Sequence, residues 1–248
     1  MSSLLFLYNE VLYRPLFNGL VWFYNIFPWQ DLGLAIIALT IVIRILLVPF
    51  LWKAQRAQKD LAAIQPEIKK IQADLRNDRE GQGKALMELY ARHKVNPFSG
   101  CLLMLIQLPI LIALFQVFQK GFNPEELKYL YEFVSSPGAL NPVSLGIINL
   151  AKGNLYLGVV AAATQFLQTK FSSPAPKPSG DKRDFAQMMQ MQATYIFPAL
   201  ILVWSYTLPS ALTLYWTILN ILAIVQEAIM RKFPTNYESG RAAIKSNP

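Results

Sequence analysis

The sequence predicts an all-α polytopic membrane protein with five transmembrane helices, a cytoplasmic helical hairpin and an N-terminal interfacial amphipathic helix. Three observations support this fold class. The 248 residues are 54% hydrophobic and 15% charged, whereas a soluble domain carries about 25% charged residues. The charges lie in blocks between long apolar runs, and the basic excess gives a net charge of +8. Cysteine and histidine each occur once, which excludes a disulfide framework and leaves little for a metal site.

The apolar runs define the order of the segments. A bilayer-spanning helix needs about 20 predominantly apolar residues, and five segments reach or approach this length. The predicted order is an extracytoplasmic N-terminal interfacial helix (1–31), a first transmembrane helix (32–52), the cytoplasmic hairpin (53–96), a second transmembrane helix (97–119), an extracytoplasmic segment (120–153), a third transmembrane helix (154–171), a cytoplasmic loop (172–186), a fourth transmembrane helix (187–206), a fifth (208–230) and a cytoplasmic tail (231–248).

The N-terminal stretch 4–27 is apolar but too interrupted for a clear span. Polar and charged residues and a proline break it at Glu10, Arg14, Pro15, Asn18 and Asn25. An interfacial helix fits better than a sixth span, with Trp22, Tyr24 and Trp29 at the level of the lipid headgroups; partial insertion is the alternative. A cleaved signal peptide is not expected, because the first residues lack a basic region.

The distribution of lysine and arginine predicts the orientation. Residues 53–96 hold ten of them, and residues 170–187 and 231–248 hold four each. The N-terminal stretch holds one and residues 119–153 hold three. Because basic loops stay on the cytoplasmic side, we expect the N-terminus outside and the C-terminus in the cytoplasm of a bacterial inner membrane.

The predicted hairpin carries a helical seam. Its apolar residues recur at alternating spacings of four and three, the pattern of a packed helix face: Ala57, Leu61, Ile64, Ile68, Ile71 and Leu75. Pro66 is expected in a first helical turn, and Gly81-Gln82-Gly83 is expected to end the helix before a second one at about 84–94. Two explanations remain for the basic excess of the hairpin. It keeps the hairpin on the cytoplasmic side of the membrane, or it contacts anionic headgroups, RNA or acidic proteins.

Arg44 is the most informative residue of the chain, because it is a charge within the first predicted span. Its α-carbon lies about 12 Å above the cytoplasmic end of that span. A charge at this depth costs about 2.5–3.5 kcal/mol on insertion scales. Snorkelling to the headgroups and a buried ion pair are alternatives. The first requires a long reach and the second lacks a carboxylate in the core of another span, so a water-filled cavity is favoured.

Polar residues in other spans could line such a cavity. Thr40 lies one turn from Arg44 on the same helix face, and the others are Gln107, Thr164, Gln165, Gln168, Thr213, Trp216, Thr217 and Asn220. Each alone is more often an interhelical hydrogen bond. Together, around one arginine, they predict a hydrophilic groove.

Three stretches of the sequence resemble a known family. They are LTIVIRILLVPFLWKAQRAQKDLAAIQPEIKKIQ (39–72), YARHKVNPFSGCLLMLIQLPILIALFQVF (90–118) and LTLYWTILNILAIVQE (212–227). In this order they resemble the YidC/Oxa/Alb family of membrane protein insertases, over about residues 10–232. The resemblance is to a short form of the family, for which we do not expect the large periplasmic domain of many Gram-negative members.

The resemblance implies a five-span fold with a groove open to the cytoplasm and to lipid. It assigns Arg44 to the groove, with Gln165 and Trp216 in its lining. Its implied partners are nascent membrane proteins, ribosome–nascent chain complexes, the Sec translocon and the lipid bilayer, and a monomer is expected. The short basic tail puts a ribosome-binding role in doubt.

The implied activity is insertion and chaperoning of membrane proteins without a cofactor. The alternative is a small-solute transporter or channel, which would also place an arginine and glutamines in a polar cavity, although no inverted repeat is visible. An enzyme is not expected, because Cys101 is interpreted as a packing residue and His93 as a solvated residue of the hairpin.

Overall fold

The computed structural model describes residues 3–96, 99–172 and 191–233. Most of them are helical, which confirms the predicted all-α class. The helices are Ser3–Tyr8 (α1), Arg14–Ile26 (α2), Leu32–Ala63 (α3), Gln65–Asp74 (α4), Arg79–His93 (α5), Ser99–Lys120 (α6), Leu155–Ser172 (α7), Phe197–Thr207 (α8) and Ser210–Met230 (α9). Asn9–Tyr13 and Gln192–Ile196 are π-helical, whereas Pro28–Gln30 and Pro124–Tyr129 are 3-10 helices. Most of the predicted loop 172–186 and of the tail 231–248 lies outside the described residues.

The chain divides into two compact units. The first comprises Met1–Leu46 and Leu108–Glu227, and the second comprises Leu47–Gln107 and Ala228–Pro248. Among the described residues, two helices, α3 and α9, are long and apolar enough to cross a bilayer. A shorter apolar helical stretch, Ile106–Lys120, lies within α6. The count of five spans therefore stays a prediction.

In the first unit, α2 contributes one whole face to the core. Phe17, Leu20, Val21 and Tyr24 are all buried. They belong to one cluster with residues of α3, α6 and α9, among them Ala35, Ile36, Leu114, Val117, Phe118, Leu212 and Tyr215. The segment read from sequence as interfacial is thus packed on protein along this face. Trp22 and Ile26, on the rest of the helix, are exposed.

Polar side chains fasten α2 to the segment between α6 and α7. The Asn18 amide donates to the carbonyl of Tyr129 (3.0 Å), and the Tyr131 amide donates to Asn18 Oδ1 (2.6 Å). The Tyr24 hydroxyl accepts from the Asn141 amide (3.0 Å). These contacts satisfy backbone groups of a segment that has little regular structure. They also give the buried side chains of Asn18 and Tyr24 the hydrogen bonds that buried polar groups require.

A short hairpin of that segment meets the start of α3 at Asp31. Strands Val143–Ser144 and Ile148–Asn149 pair antiparallel, with Val143 opposite Asn149. The Asp31 carboxylate accepts hydrogen bonds from the Leu34 amide (2.9 Å), the Ser144 hydroxyl (2.8 Å) and the Leu145 amide. Asp31 therefore caps α3 and holds the hairpin at the same time.

The hydrogen bonds to Asp31 predict an acid-dependent contribution to stability. Burial raises the pKa of this carboxyl, but the bonds from Leu145, Leu34 and Ser144 together hold its pKa below the ordinary value of 3.8. A carboxyl with a depressed pKa in the folded state stabilises that state fully above its unfolded pKa and loses this effect as the pH falls through the folded pKa. We expect the detergent-solubilised protein to melt at a higher temperature than Asp31→Asn at neutral pH, and the gap to narrow below about pH 4. A gap independent of pH would contradict this account.

In the second unit, α4 and α5 pack against each other. Ile64, Ile68 and Leu89 are buried between them, and Leu61, Ile71, Leu86, Tyr90 and Val95 pack around these three. Four of the six predicted seam residues belong to this cluster, namely Leu61, Ile64, Ile68 and Ile71. Ala57 and Leu75 are not among its members. Pro66 lies in the first turn of α4, as its sequence context indicated.

Two expectations for this hairpin were wrong. Gly81-Gln82-Gly83 does not separate the helices, because it lies inside α5. Asp78 caps that helix through a bond from the Gly81 amide (2.9 Å), so the break falls after Asp74 and the second helix begins at Arg79. Two glycines cost only about 1 kcal/mol each in a helix, and the cap offsets part of this. His93 is also not simply solvated, since it is partly buried and its Nε2 lies 3.1 Å from Glu67 Oε2.

Candidate functional site

Arg44 lies on α3 in the first unit and is half-buried. Its Nε is buried and has no hydrogen-bond partner among residues 3–96, 99–172 and 191–233. Tyr215 of α9 lies close enough for an electrostatic interaction. A guanidinium donor left without an acceptor is costly in a protein interior. The position can therefore receive a hydrogen-bond acceptor from outside the described residues.

Thr40 lies one turn before Arg44 and is buried. Its hydroxyl donates to the carbonyl of Ile36 in the same helix (2.6 Å). This donor is thus satisfied locally, and only the oxygen lone pairs remain for another group. Gln107, which the sequence grouped with these residues, belongs to the second unit, so its place in the site stays a prediction.

The C-terminal half of α7 carries a ladder of polar side chains. Gln165 Nε2 donates to Thr169 Oγ1 (3.2 Å) and to Gln168 Oε1 (3.4 Å). Gln168 Nε2 in turn donates to Ser172 Oγ (3.1 Å). These four residues, Gln165, Gln168, Thr169 and Ser172, are called the α7 ladder below. Its members lie three or four positions apart, so they share one side of the helix.

Helix α9 adds an aromatic and an amide group to the first unit. Trp216 is buried in a small cluster with Ala161 and Ile201, and its ring meets that of Phe197 edge-on at 5.4 Å between centroids. Asn220 Nδ2 donates to Thr164 Oγ1 of α7 (3.4 Å). The structure thereby brings Trp216 and Asn220 of the predicted set together with α7.

Helices α7 and α8 are held close by a glycine. A Cβ atom at Gly158 would overlap both the hydroxyl and the Cβ of Ser205. The Asn154 amide donates to the carbonyl of Ser205 (2.9 Å), so the start of α7 lies beside the end of α8. Small residues at such crossings let helix backbones approach within a membrane. This packing fixes the helix that carries the α7 ladder.

Sequence reasoning missed three residues that the structure adds to this region. Thr169 and Ser172 continue the polar spacing of Gln165 and Gln168, and that spacing could have revealed them. Tyr215 beside Arg44 had no such signal, because a tyrosine in an apolar run reads as a core residue. In the described parts of the chain, no three residues among His, Cys, Asp and Glu cluster as a metal site would require.

Comparison with known proteins decides the family. The profile of the family described as 60Kd inner membrane protein matches residues 22–237. The membrane protein insertase YidC of Fusobacterium nucleatum is 35% identical over 202 residues, which cover 82% of this chain and 87% of that protein. The chain belongs to the YidC family of membrane protein insertases. The resemblance inferred from the three sequence stretches is thereby confirmed.

The chain matches only part of other members of the YidC family. The YidC of Anaeromyxobacter dehalogenans is 34% identical over 206 residues, which cover 82% of this chain and 33% of that protein. A crystal structure titled as an active YidC insertase with its first transmembrane domain resolved superposes with a TM-score of 0.55 at 28% identity. It matches over 90% of this chain and 46% of its own. The chain thus spans about a third of the length of the Anaeromyxobacter protein and about half of the length of the crystallised YidC chain.

Proposed function

We propose that the chain inserts membrane proteins by receiving the polar tail of a nascent chain in a hydrophilic groove that contains Arg44. The groove is open to the cytoplasm and to lipid. The observation that carries the proposal is the buried Nε of Arg44, which lacks an acceptor within the described residues, in a chain of the YidC family. A carboxylate of the substrate would supply that acceptor.

The chemistry of arginine suits an acidic tail. A guanidinium can bind a carboxylate through two parallel hydrogen bonds, and such charge-assisted bonds are stronger than neutral ones. The tail must leave again, so a partly hydrated site that weakens the ion pair favours turnover. Arg44 is half-buried, which is compatible with such intermediate hydration.

The remaining groove residues offer hydrogen bonds without charge. We assign Thr40, Gln107, Gln165, Gln168 and Asn220 to its polar lining and Trp216 to its wall. Polar groups that stay in contact with water lower the cost of bringing a hydrophilic segment part-way into the bilayer. Support for this assignment comes from the contacts of Trp216 and Asn220 with α7 and its neighbours.

The energy of the reaction comes from the substrate itself. Its apolar helix leaves sideways into lipid, where removal of apolar surface from water releases about 25 cal/mol per Å². The membrane potential adds about 2.3 kcal/mol per charge at 100 mV for an acidic tail. No nucleotide hydrolysis is required.

The same proposal fixes the topology. Five helices cross the bacterial inner membrane, with the N-terminus outside, the α4–α5 hairpin and the C-terminus in the cytoplasm, and the N-terminal helix along the outer interface. The partners are nascent chains on ribosomes, with the Sec translocon for some substrates, and the working unit is a monomer. The basic residues of 53–96 support this orientation.

Site-specific crosslinking to arrested nascent chains tests the groove. A photoreactive amino acid at Gln168, which is half-buried on the α7 ladder, should form adducts with the polar tail of a ribosome-bound substrate. The matched control is Phe133, which is exposed in the segment between α6 and α7 and should give few adducts. Equal yields at both positions would argue against the groove. Solute flux through proteoliposomes of the purified protein would favour the transporter alternative.

A further inference from the structure

Three exposed apolar side chains lie on two segments that meet at Asp31, just before α3 begins. Trp29 is 90% exposed, Leu145 is 67% exposed and Ile147 is 82% exposed. Trp29 lies two residues before Asp31, and Leu145 donates its backbone amide to the Asp31 carboxylate. These three residues are called the outer tip below. All belong to the first unit, although more than 110 residues separate Trp29 from the other two.

The backbone of the outer tip is strained on both of its segments. Trp29, Gln30 and Leu145 have φ values of 63°, 49° and 49°, in the left-handed region that non-glycine residues rarely adopt. Leu145 and Gly146 (φ 69°) form the centre of a turn closed by the bond from the Ile147 amide to the Ser144 carbonyl (3.0 Å). Turns with positive φ at both central residues favour Asn, Asp or Gly at the first of them. A leucine there is locally unfavourable.

Contacts around Asp31 hold this geometry. Its carboxylate binds both the Ser144 hydroxyl (2.8 Å) and the first turn of α3. A Cβ at Gly33 would overlap the Ser144 hydroxyl, so the hairpin lies directly against the start of the helix. Strained backbone of this kind persists only where its surroundings impose it. The Asp31 contacts therefore hold an apolar, exposed turn in a strained conformation.

The position of the outer tip points to lipid as the partner of its exposed side chains. Helix α3, which is apolar and long enough to cross a bilayer, begins at Leu32, three residues after Trp29. The outer tip therefore lies at the membrane boundary, where tryptophan is favoured. Residues 26–30 and 143–151 contain no charged residue, so neither segment carries a group that would resist entry into the headgroup layer.

We propose that Trp29, Leu145 and Ile147 form a membrane anchor that inserts into the outer leaflet beside the start of α3. Asp31 positions it by joining the two segments. The anchor fixes the depth of the first membrane helix from outside, independently of any substrate. It would hold whether or not Arg44 contacts acidic tails.

Fluorescence quenching in vesicles tests the anchor. The variant Cys101→Ser removes the one native thiol, and Ile147→Cys in this background takes an environment-sensitive dye. The full chain is reconstituted into phosphatidylcholine–phosphatidylglycerol vesicles. We expect nitroxide lipids labelled near the headgroup to quench this dye, and aqueous iodide to quench it at least about threefold less than a dye at Glu132→Cys, an exposed charged position in the same segment.

A second variant separates anchoring from folding. Leu145→Asn places a residue that tolerates positive φ in the strained position, so the melting temperature in detergent should hold or rise. The same change removes an apolar member of the outer tip, and iodide should therefore reach the dye at position 147 more readily. Iodide quenching at 147 equal to that at 132 in the parent protein would overturn the proposal. Protection from iodide that occurs only in native membranes, and not in vesicles of the purified protein, would indicate a protein partner and would also overturn it.

Discussion

Insertion of substrates with acidic tails is expected to fall about tenfold when Arg44 is replaced by alanine. A hydrogen bond to a charged group is worth about 1.5–3 kcal/mol, and the lower end applies where water shares the site. Substrates with neutral tails should be inserted nearly as before. Protease protection of the translocated tail, measured with proteoliposomes of the purified protein, provides the readout.

Charge exchange makes this test specific. Arg44→Glu should block acidic tails more strongly than Arg44→Ala, and it should improve the insertion of a substrate whose tail acids are replaced by lysine. Arg44→Lys should lie between the native protein and the alanine variant, because an ammonium offers no planar pair of donors. Arg14→Ala is the control, since Arg14 pairs with Glu10 in the N-terminal segment, away from the proposed groove. Equal losses for acidic and neutral tails would contradict the ion-pair mechanism.

The second large effect is expected at the crossing of α7 and α8. Gly158→Ala places a methyl group where Ser205 already lies, and overpacking of this kind costs about 1–3 kcal/mol. The two helices must separate, so the melting temperature in detergent should fall by several degrees. Insertion of acidic and neutral substrates should fall together, because α7 carries the ladder for both.

A compensating exchange distinguishes overpacking from a general loss of helix stability. Gly158→Ala combined with Ser205→Gly removes the overlapping atoms, and it should recover most of the lost stability. Gly83→Ala in α5 is the matched control. Beyond the neighbouring backbone of its own helix, no atom lies within 4 Å of where a Cβ would be, so alanine should stabilise this helix by about 0.5–1 kcal/mol. Failure of the double variant to exceed Gly158→Ala would contradict the close-packing explanation.

Much of the order of the helices along the chain could be predicted from the sequence, because long apolar runs and a regular seam give strong signals. Ile64 and Ile68 were predicted to pack because their spacing matches a helix face. The attachment of α2 had no comparable signal. Asn18 and Tyr24 bind backbone groups more than 100 residues away, and a single polar residue in an apolar run reads as an interruption, not as a contact.

Where the prediction from sequence was wrong, a local hydrogen bond explains the difference. The two glycines of α5 suggested a break, but one aspartate cap at residue 78 starts the helix before them. The candidate site shows the opposite case. Arg44 could be singled out because a charge inside an apolar span is rare, whereas Tyr215 beside it depends on how α3 and α9 pack.

The α7 ladder has a consequence for how tightly any polar segment could be held there. Its amides and hydroxyls bond to one another. An arriving peptide group would therefore exchange one set of bonds for another, with little net change in their number. A hydrophilic chain could therefore move along this surface by exchanging hydrogen-bond partners, because no single residue would bind it in a deep free-energy minimum. Arg44 would then provide most of the affinity for the substrate, and the α7 ladder would determine how fast the substrate moves past it.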